Sequence, residues 1–202
     1  MENMLPVFAV SRLRMATDGK GVTTLVGVHG CPLQCKYCLN AARLKPEQPV
    51  TYYTPQALLD AVRVDGLYFS ATGGGITFGG GEPLLHAPFL AAFKALMPVD
   101  WTLTAETSLH IPRPQLLTAA KCVDQFIIDI KDMDDGIYRA YTGREPLREN
   151  LMALKDLAGQ ERMHIRIPRI PGYNTAVHQQ RSAEVLQKLG FTRLETFDYI
   201  IR

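Results

Sequence analysis

Six short apolar runs, near 23–28, 75–79, 101–106, 125–130, 162–168 and 194–199, alternate with helical patterns near 54–64, 87–96, 113–120, 145–158 and 177–189. This alternation restricts the fold sharply. Strands joined one after another by helices lie parallel, with the helices packed outside the sheet. Six such units predict an α/β fold built as a partial (β/α)6 parallel barrel or an open parallel sheet. A closed eight-unit barrel usually takes about 250 residues, and this chain has 202. Thr54-Pro55 reads as a helix N-cap followed by proline at the first helical position. No repeat, low-complexity segment or linker divides the chain, so residues 1–202 are expected to form one domain. In such folds the functional site gathers at the carboxyl ends of the strands.

The 47% hydrophobic content suffices for a proper core. The net charge of +2, without a run of like charge, gives no case for nucleic acid or a membrane surface. No apolar stretch approaches a membrane span, and MENMLPVFAV lacks the basic and apolar regions of a signal peptide. A cytoplasmic address is the expectation.

Three of the four cysteines fall in CPLQCKYC, as Cys31, Cys35 and Cys38, on a loop after the run TTLVGV. That Cys-x3-Cys-x2-Cys spacing is too tight for a disulfide framework and reads as a soft-metal ligand set. A closed zinc site or a complete iron–sulfur cluster normally takes four protein ligands, so three leave one position open. Zinc held by the triplet and a histidine such as His29 is the alternative. Cys122, before an apolar strand, reads as a small buried hydrophobe.

GGGITFGGGEP, Gly73 to Pro83, places Gly79–Gly81 and Glu82 directly after a strand. Glycines there let backbone groups approach a ligand, or simply make a turn. The run lacks the Lys-Ser/Thr of a phosphate-binding loop. Polar residues also mark other strand ends: Glu106 and Thr107 close TLTAET, Asp129 and Lys131 share one side of IIDIK, and Arg166 lies in HIRIPRIPGY. An ion pair that merely neutralises itself is the plainer reading of Asp129 and Lys131.

Taken in order along nearly the whole chain, TDGKG, the cysteine triplet, GGGITFGGGEP, AETS, IDIKDM and RIPRIPGYN resemble the radical S-adenosylmethionine superfamily. IDIK and RIPGYN resemble its activating enzymes of glycyl radical enzymes. The resemblance implies a [4Fe–4S] cluster on Cys31, Cys35 and Cys38, with S-adenosylmethionine on the open iron. It implies contacts from Gly80, Gly81 and Glu82 to the methionine amine. It further implies contacts from Lys131 and Arg166 to the carboxylate or nucleoside, and Tyr37 beside the adenine. Glu106, Thr107, Asp129 and the Ile127 carbonyl resemble a monovalent-cation (Na+ or K+) site, and Asp18 matches a position near the target glycine. Asp18 and Lys131 are the catalytic candidates.

The activity implied is reductive cleavage of S-adenosylmethionine to a 5′-deoxyadenosyl radical, which abstracts the glycine α-hydrogen of a partner enzyme. Flavodoxin or ferredoxin is the implied electron donor. Lys20 and Thr23 stand where that family has proline and arginine, Glu106 where close relatives have aspartate, and Ile200 where they have histidine. No second cysteine-rich insert follows Asn40, so auxiliary clusters are not expected. Two other functions fit parts of the pattern: a radical enzyme acting on a peptide, nucleotide or metabolite, and a non-catalytic zinc-binding interaction module.

Overall fold

The computed structural model describes residues 3–15 and 17–200. Six strands form a continuous parallel sheet: β2 (Val22–Val28), β4 (Gly75–Gly80), β5 (Thr102–Thr107), β6 (Gln125–Asp129), β7 (Met163–Arg169) and β8 (Leu194–Asp198). They coincide with the six runs predicted from sequence. Two further strands extend the sheet antiparallel beyond β2. These are β1 (Leu5–Met15), paired with β2, and β3 (Thr51–Tyr53), paired with β1. The order β3-β1-β2-β4-β5-β6-β7-β8 leaves β3 and β8 as free ends, so the sheet is open.

Among the described residues seven α-helices connect or flank the strands: α1 (Pro55–Val62), α2 (Gly66–Thr72), α3 (Ala87–Leu96), α4 (Arg113–Cys122), α5 (Asp135–Thr142), α6 (Arg148–Ala158) and α7 (Ala176–Lys188). Thr54 caps α1 by accepting a hydrogen bond from Ala57 N, with Pro55 at the first position as predicted. Asp134 caps α5 in the same way through Ile137 N. Among the described residues no helix is long and apolar enough to cross a membrane.

The two faces of the sheet differ in chemistry. Residues such as Val26, Phe78, Leu103, Phe126, Ile128 and Ile165 face the helices and are fully buried against Phe89, Phe93, Leu116 and Leu154. Their alternates, Thr104, Glu106, Gln125, Ile127, Asp129, His164 and Arg166, line cavities on the opposite face. The two-residue period of a strand makes this division automatic. Far from the carboxyl ends of the strands, Trp101 packs edge-on against Phe69 of α2, ring centroids 4.9 Å apart, over Gly66.

Candidate active site

The cysteine loop leaves the carboxyl end of β2 and docks on the end of α5. Gln34 N and Lys36 N donate to the carbonyls of Thr142 and Tyr141, two of the helix-end acceptors that the helix itself leaves unpaired. Its other flank is joined to the glycine loop after β4, where Gly81 N donates to Val28 O and Glu82 N to Gly30 O. A side chain on Gly81 would collide with both of those carbonyl oxygens, so this backbone approach requires glycine. Asn40 Nδ2 completes the join with a 3.0 Å bond to Gly80 O.

Cys31, Cys35 and Cys38 line one cavity of about 290 Å3 together with Gly80, Gly81, Glu106, Asp129, Lys131 and Arg166. The four cysteines are all free thiols. Among the described residues no three His, Cys, Asp or Glu side chains stand close enough to clasp a single metal ion. The donor chemistry nevertheless fits an iron–sulfur cluster: three soft thiols face one space. Burial pushes the Cys31 thiol up to about 12, with Glu82 and the other two thiols adding to the rise. This thiol therefore needs a positive centre beside it to ionise. His29 does not complete a zinc site: its Nε2 lies 3.1 Å from Lys45 O, and the ring is not among the cavity's lining.

A network of four ionisable groups forms the floor. Arg166 Nε donates to Asp129 Oδ1 at 2.8 Å, and Arg166 Nη1 lies 3.3 Å from Glu106 Oε1. Lys131 Nζ donates to Asp129 Oδ2 at 3.1 Å. Burial opposes ionisation of Asp129, but Lys131 and Arg166 outweigh it and hold the carboxyl at about 2. Burial likewise works against the charge of Lys131 and Arg166, and Asp129 more than offsets it, so both pKa values are raised. Glu106 goes the other way. Burial pushes it up to about 7, because Arg166 only partly compensates and Asp129 and Asp18 repel it. Its Oε1 is buried without a hydrogen-bond donor.

Several residues are engaged differently from what the resemblance implied, although Glu82 and Thr107 do line the cavity. Glu82, expected at the methionine amine, is buried, and its two oxygens already accept from Thr107 Oγ1 (2.7 Å), Ser108 N (2.9 Å), Ser108 Oγ (2.7 Å) and Leu84 N (3.3 Å). Those four donors occupy a carboxylate's usual acceptor sites, and burial raises its pKa. Thr107 is thereby turned toward Glu82, and Asp129 accepts from two cations, while Glu106, Thr107 and Asp129 all line the one cavity. Tyr37 packs edge-on against Tyr141 and Tyr173, centroids 6.2 and 5.7 Å away, outside the cavity lining. Tyr141, Phe197 and Tyr199 line the cavity in its stead. The Tyr199 hydroxyl donates to the carbonyl of Tyr37. Asp18 is buried, paired with Arg14, and outside the cavity.

Ser108, Asn40 and the three aromatic residues carry no sequence signal of their own beyond standing next to motif residues. A second cavity of about 410 Å3 adjoins the first, with Arg166 and Phe197 in both walls and Gly19, Lys20, Gln125 and His164 in its own.

The model of the Radical SAM superfamily matches residues 25–179. The chain is 31% identical to the (2S)-3-sulfopropanediol dehydratase activating enzyme of Klebsiella oxytoca, over 91% of this chain and 78% of that protein. That alignment runs to 249 positions, longer than this chain, so the relative carries insertions that this chain lacks. The chain is 28% identical to the pyruvate formate-lyase-activating enzyme of Staphylococcus aureus, over 78% of this chain and 65% of that protein. In fold it is similar to Streptococcus suis SuiB bound to S-adenosylmethionine, at 14% identity and a TM-score of 0.60. That match covers 84% of this chain and 37% of that one. The chain thus spans just under two thirds of one curated relative and about a third of this structural neighbour.

Open parallel sheet, cysteine loop, glycine loop and ion network occur together with these matches in one chain, and it belongs to the radical S-adenosylmethionine superfamily, as an enzyme of the glycyl radical enzyme activating type whose cofactors are a [4Fe–4S] cluster and S-adenosylmethionine.

Proposed function

We propose that Cys31, Cys35 and Cys38 hold the cluster and that the cavity beside them seats S-adenosylmethionine, for activation of a partner glycyl radical enzyme. The observation that carries this reading is the meeting of three thiols and the Asp129–Lys131–Arg166 network on one cavity at the strand ends. When bound, cluster and cofactor supply one-electron reductive cleavage of a carbon–sulfur bond, ending in a 5′-deoxyadenosyl radical that removes a hydrogen atom.

The chain's own part is placement and exclusion. Lys131 and Arg166 present positive charge toward a carboxylate. Asp129 fixes both cations, so neither swings freely when the cofactor enters. The glycine loop, which lines the cavity and is anchored by Glu82, would offer carbonyl acceptors to an ammonium group. The aromatic residues Tyr141, Phe197 and Tyr199 offer a surface for a nucleoside. The second cavity and the free edges of the sheet leave a path for a segment of a partner protein to come within near-attack distance. A flavodoxin or ferredoxin donor and a cytoplasmic setting complete the reading. The free thiols suit a reducing compartment.

The test is anaerobic. Protein reconstituted with iron and sulfide, then given S-adenosylmethionine and dithionite, should release 5′-deoxyadenosine, and Cys35→Ala should not. Wild-type protein that carries a full cluster and releases none, with or without a candidate glycyl radical enzyme, would refute the reading.

A further inference from the structure

The turn after β5 holds a leucine in an unusual backbone conformation. Leu109 has φ of 57°, in the left-handed region, and among the described residues only Leu13 shares that feature outside glycine. A branched apolar side chain disfavours this region, and Leu109 is 2% exposed, with its side chain in the core. Something must hold the turn there. Leu109 N donates to Thr107 Oγ1 at 2.9 Å, and His110 N lies 3.3 Å from Ser108 Oγ. From outside the turn, Asn150 on α6 spends both protons of its amide on it, donating to Leu109 O at 2.9 Å and Ile111 O at 2.8 Å. Asn150 is 3% exposed and is not among the residues that line the cavity.

The same turn aims Ser108 and Thr107 at Glu82, which accepts three of its four hydrogen bonds from them. Glu82 in turn ties the glycine loop to Gly30, next to Cys31. A continuous set of hydrogen bonds therefore runs from α6 to the loop that faces the cofactor. We propose that Asn150 is a positioning residue for S-adenosylmethionine: by holding Leu109 in its left-handed conformation it keeps Ser108 on Glu82, and so keeps the Gly80–Gly81 carbonyls in place. This inference rests on the cofactor reading above.

The plainer role, in which Asn150 only satisfies two buried carbonyls, predicts lost stability and nothing else. The variants Asn150→Leu, Leu109→Gly and their combination separate the two, with S-adenosylmethionine affinity, cluster content and melting temperature measured on anaerobically loaded protein. Leucine matches asparagine in size and cannot donate. Glycine at 109 adopts the positive φ without strain, so the turn no longer depends on Asn150.

We expect Asn150→Leu to bind S-adenosylmethionine at least about tenfold more weakly, with iron and sulfide content intact. Leu109→Gly should bind normally and melt lower, since it loses a buried side chain. The double variant should recover affinity while melting lowest of all, so that affinity and stability move in opposite directions. Should Asn150→Leu fail to fold, Asn150→Ala, which also lacks the amide donors and buries no charge, takes its place. Normal affinity in the Asn150 variant, or a double variant no better than the single, would overturn the proposal. Absence of binding by the wild type would overturn the cofactor reading and this inference with it.

Discussion

Glu106 should make the protein less stable as pH rises from weakly acid to alkaline, and Glu106→Gln should abolish that trend. In the folded chain the carboxyl sits at about 7 against an ordinary 4.5. Between those values the folded state holds a proton that the unfolded state has released, so stability falls as pH increases through the interval. The full difference is about 3 kcal/mol at 1.36 kcal/mol per pH unit. Only about 2 kcal/mol of it falls between pH 5.5 and 8.5, because part of the window lies lower. About a fifth of the side chain is reachable by water, which trims the figure further.

Below about pH 4 the protonated carboxyl and a glutamine amide are nearly isosteric and should be equally stable, so the variant should lead by about 1 kcal/mol at pH 5.5 and by about 3 kcal/mol at pH 8.5, a gap that widens by about 2 kcal/mol across the window. His86, His110 and His164 have pKa values lowered by burial and contribute the opposite slope at mildly acid pH. Asp129, held at about 2, contributes stability that is lost only as pH falls through that value, outside the window. Both effects are common to the two proteins and cancel in their difference. Anaerobic urea titrations at four pH values give that difference directly. A gap that stays flat from pH 5.5 to 8.5, or one that favours the wild type at high pH, would refute the assignment of a neutral-leaning carboxyl at this position.

Gly81→Ala should separate the glycine loop from the cysteine loop, because its methyl group would overlap Gly30 O and Val28 O; cluster content after reconstitution and S-adenosylmethionine affinity should both fall. Asp129→Ala should leave Lys131 and Arg166 facing each other without their shared anion, which costs about 3 kcal/mol for a buried network. Its melting temperature and cofactor affinity should drop while iron content holds. Tyr37→Phe should bind S-adenosylmethionine like the wild type, since the Tyr37 ring packs on tyrosines and its hydrogen bond is made through the backbone. A tenfold loss there would assign the Tyr37 hydroxyl a contact with the cofactor.

The parallel core of the fold was legible because β4 to β7 are short, largely buried apolar runs, and because helix signals such as Thr54-Pro55 stood between such runs. β1 was missed: LPVFAVSRLRM carries arginines and serine, is half-exposed along most of its length, and lies antiparallel at the margin of the sheet. α5 was missed because DGIYRAYT is short, contains glycine and presents no long apolar stripe, yet its last carbonyls hold the cysteine loop. For the site, sequence identified which residues gather but not which partner each would choose. Glu82 and Thr107 both stand at strand ends, and only the folded turn at Leu109 shows that they bind one another. The carboxylate of Glu106 lies by Arg166, with Oε2 only 2.8 Å from where a side chain on Gly79 would begin.

Trp101 is the chain's sole tryptophan, and it lies against Phe69 at the start of β5, whereas the cofactor cavity lies beyond the end of that strand. Six residues of extended chain put roughly 20 Å between them. Its fluorescence should therefore respond strongly to unfolding and stay silent when S-adenosylmethionine binds, which makes the indole an internal reference: one emission spectrum reads how much protein is folded, independent of whether its active site is filled.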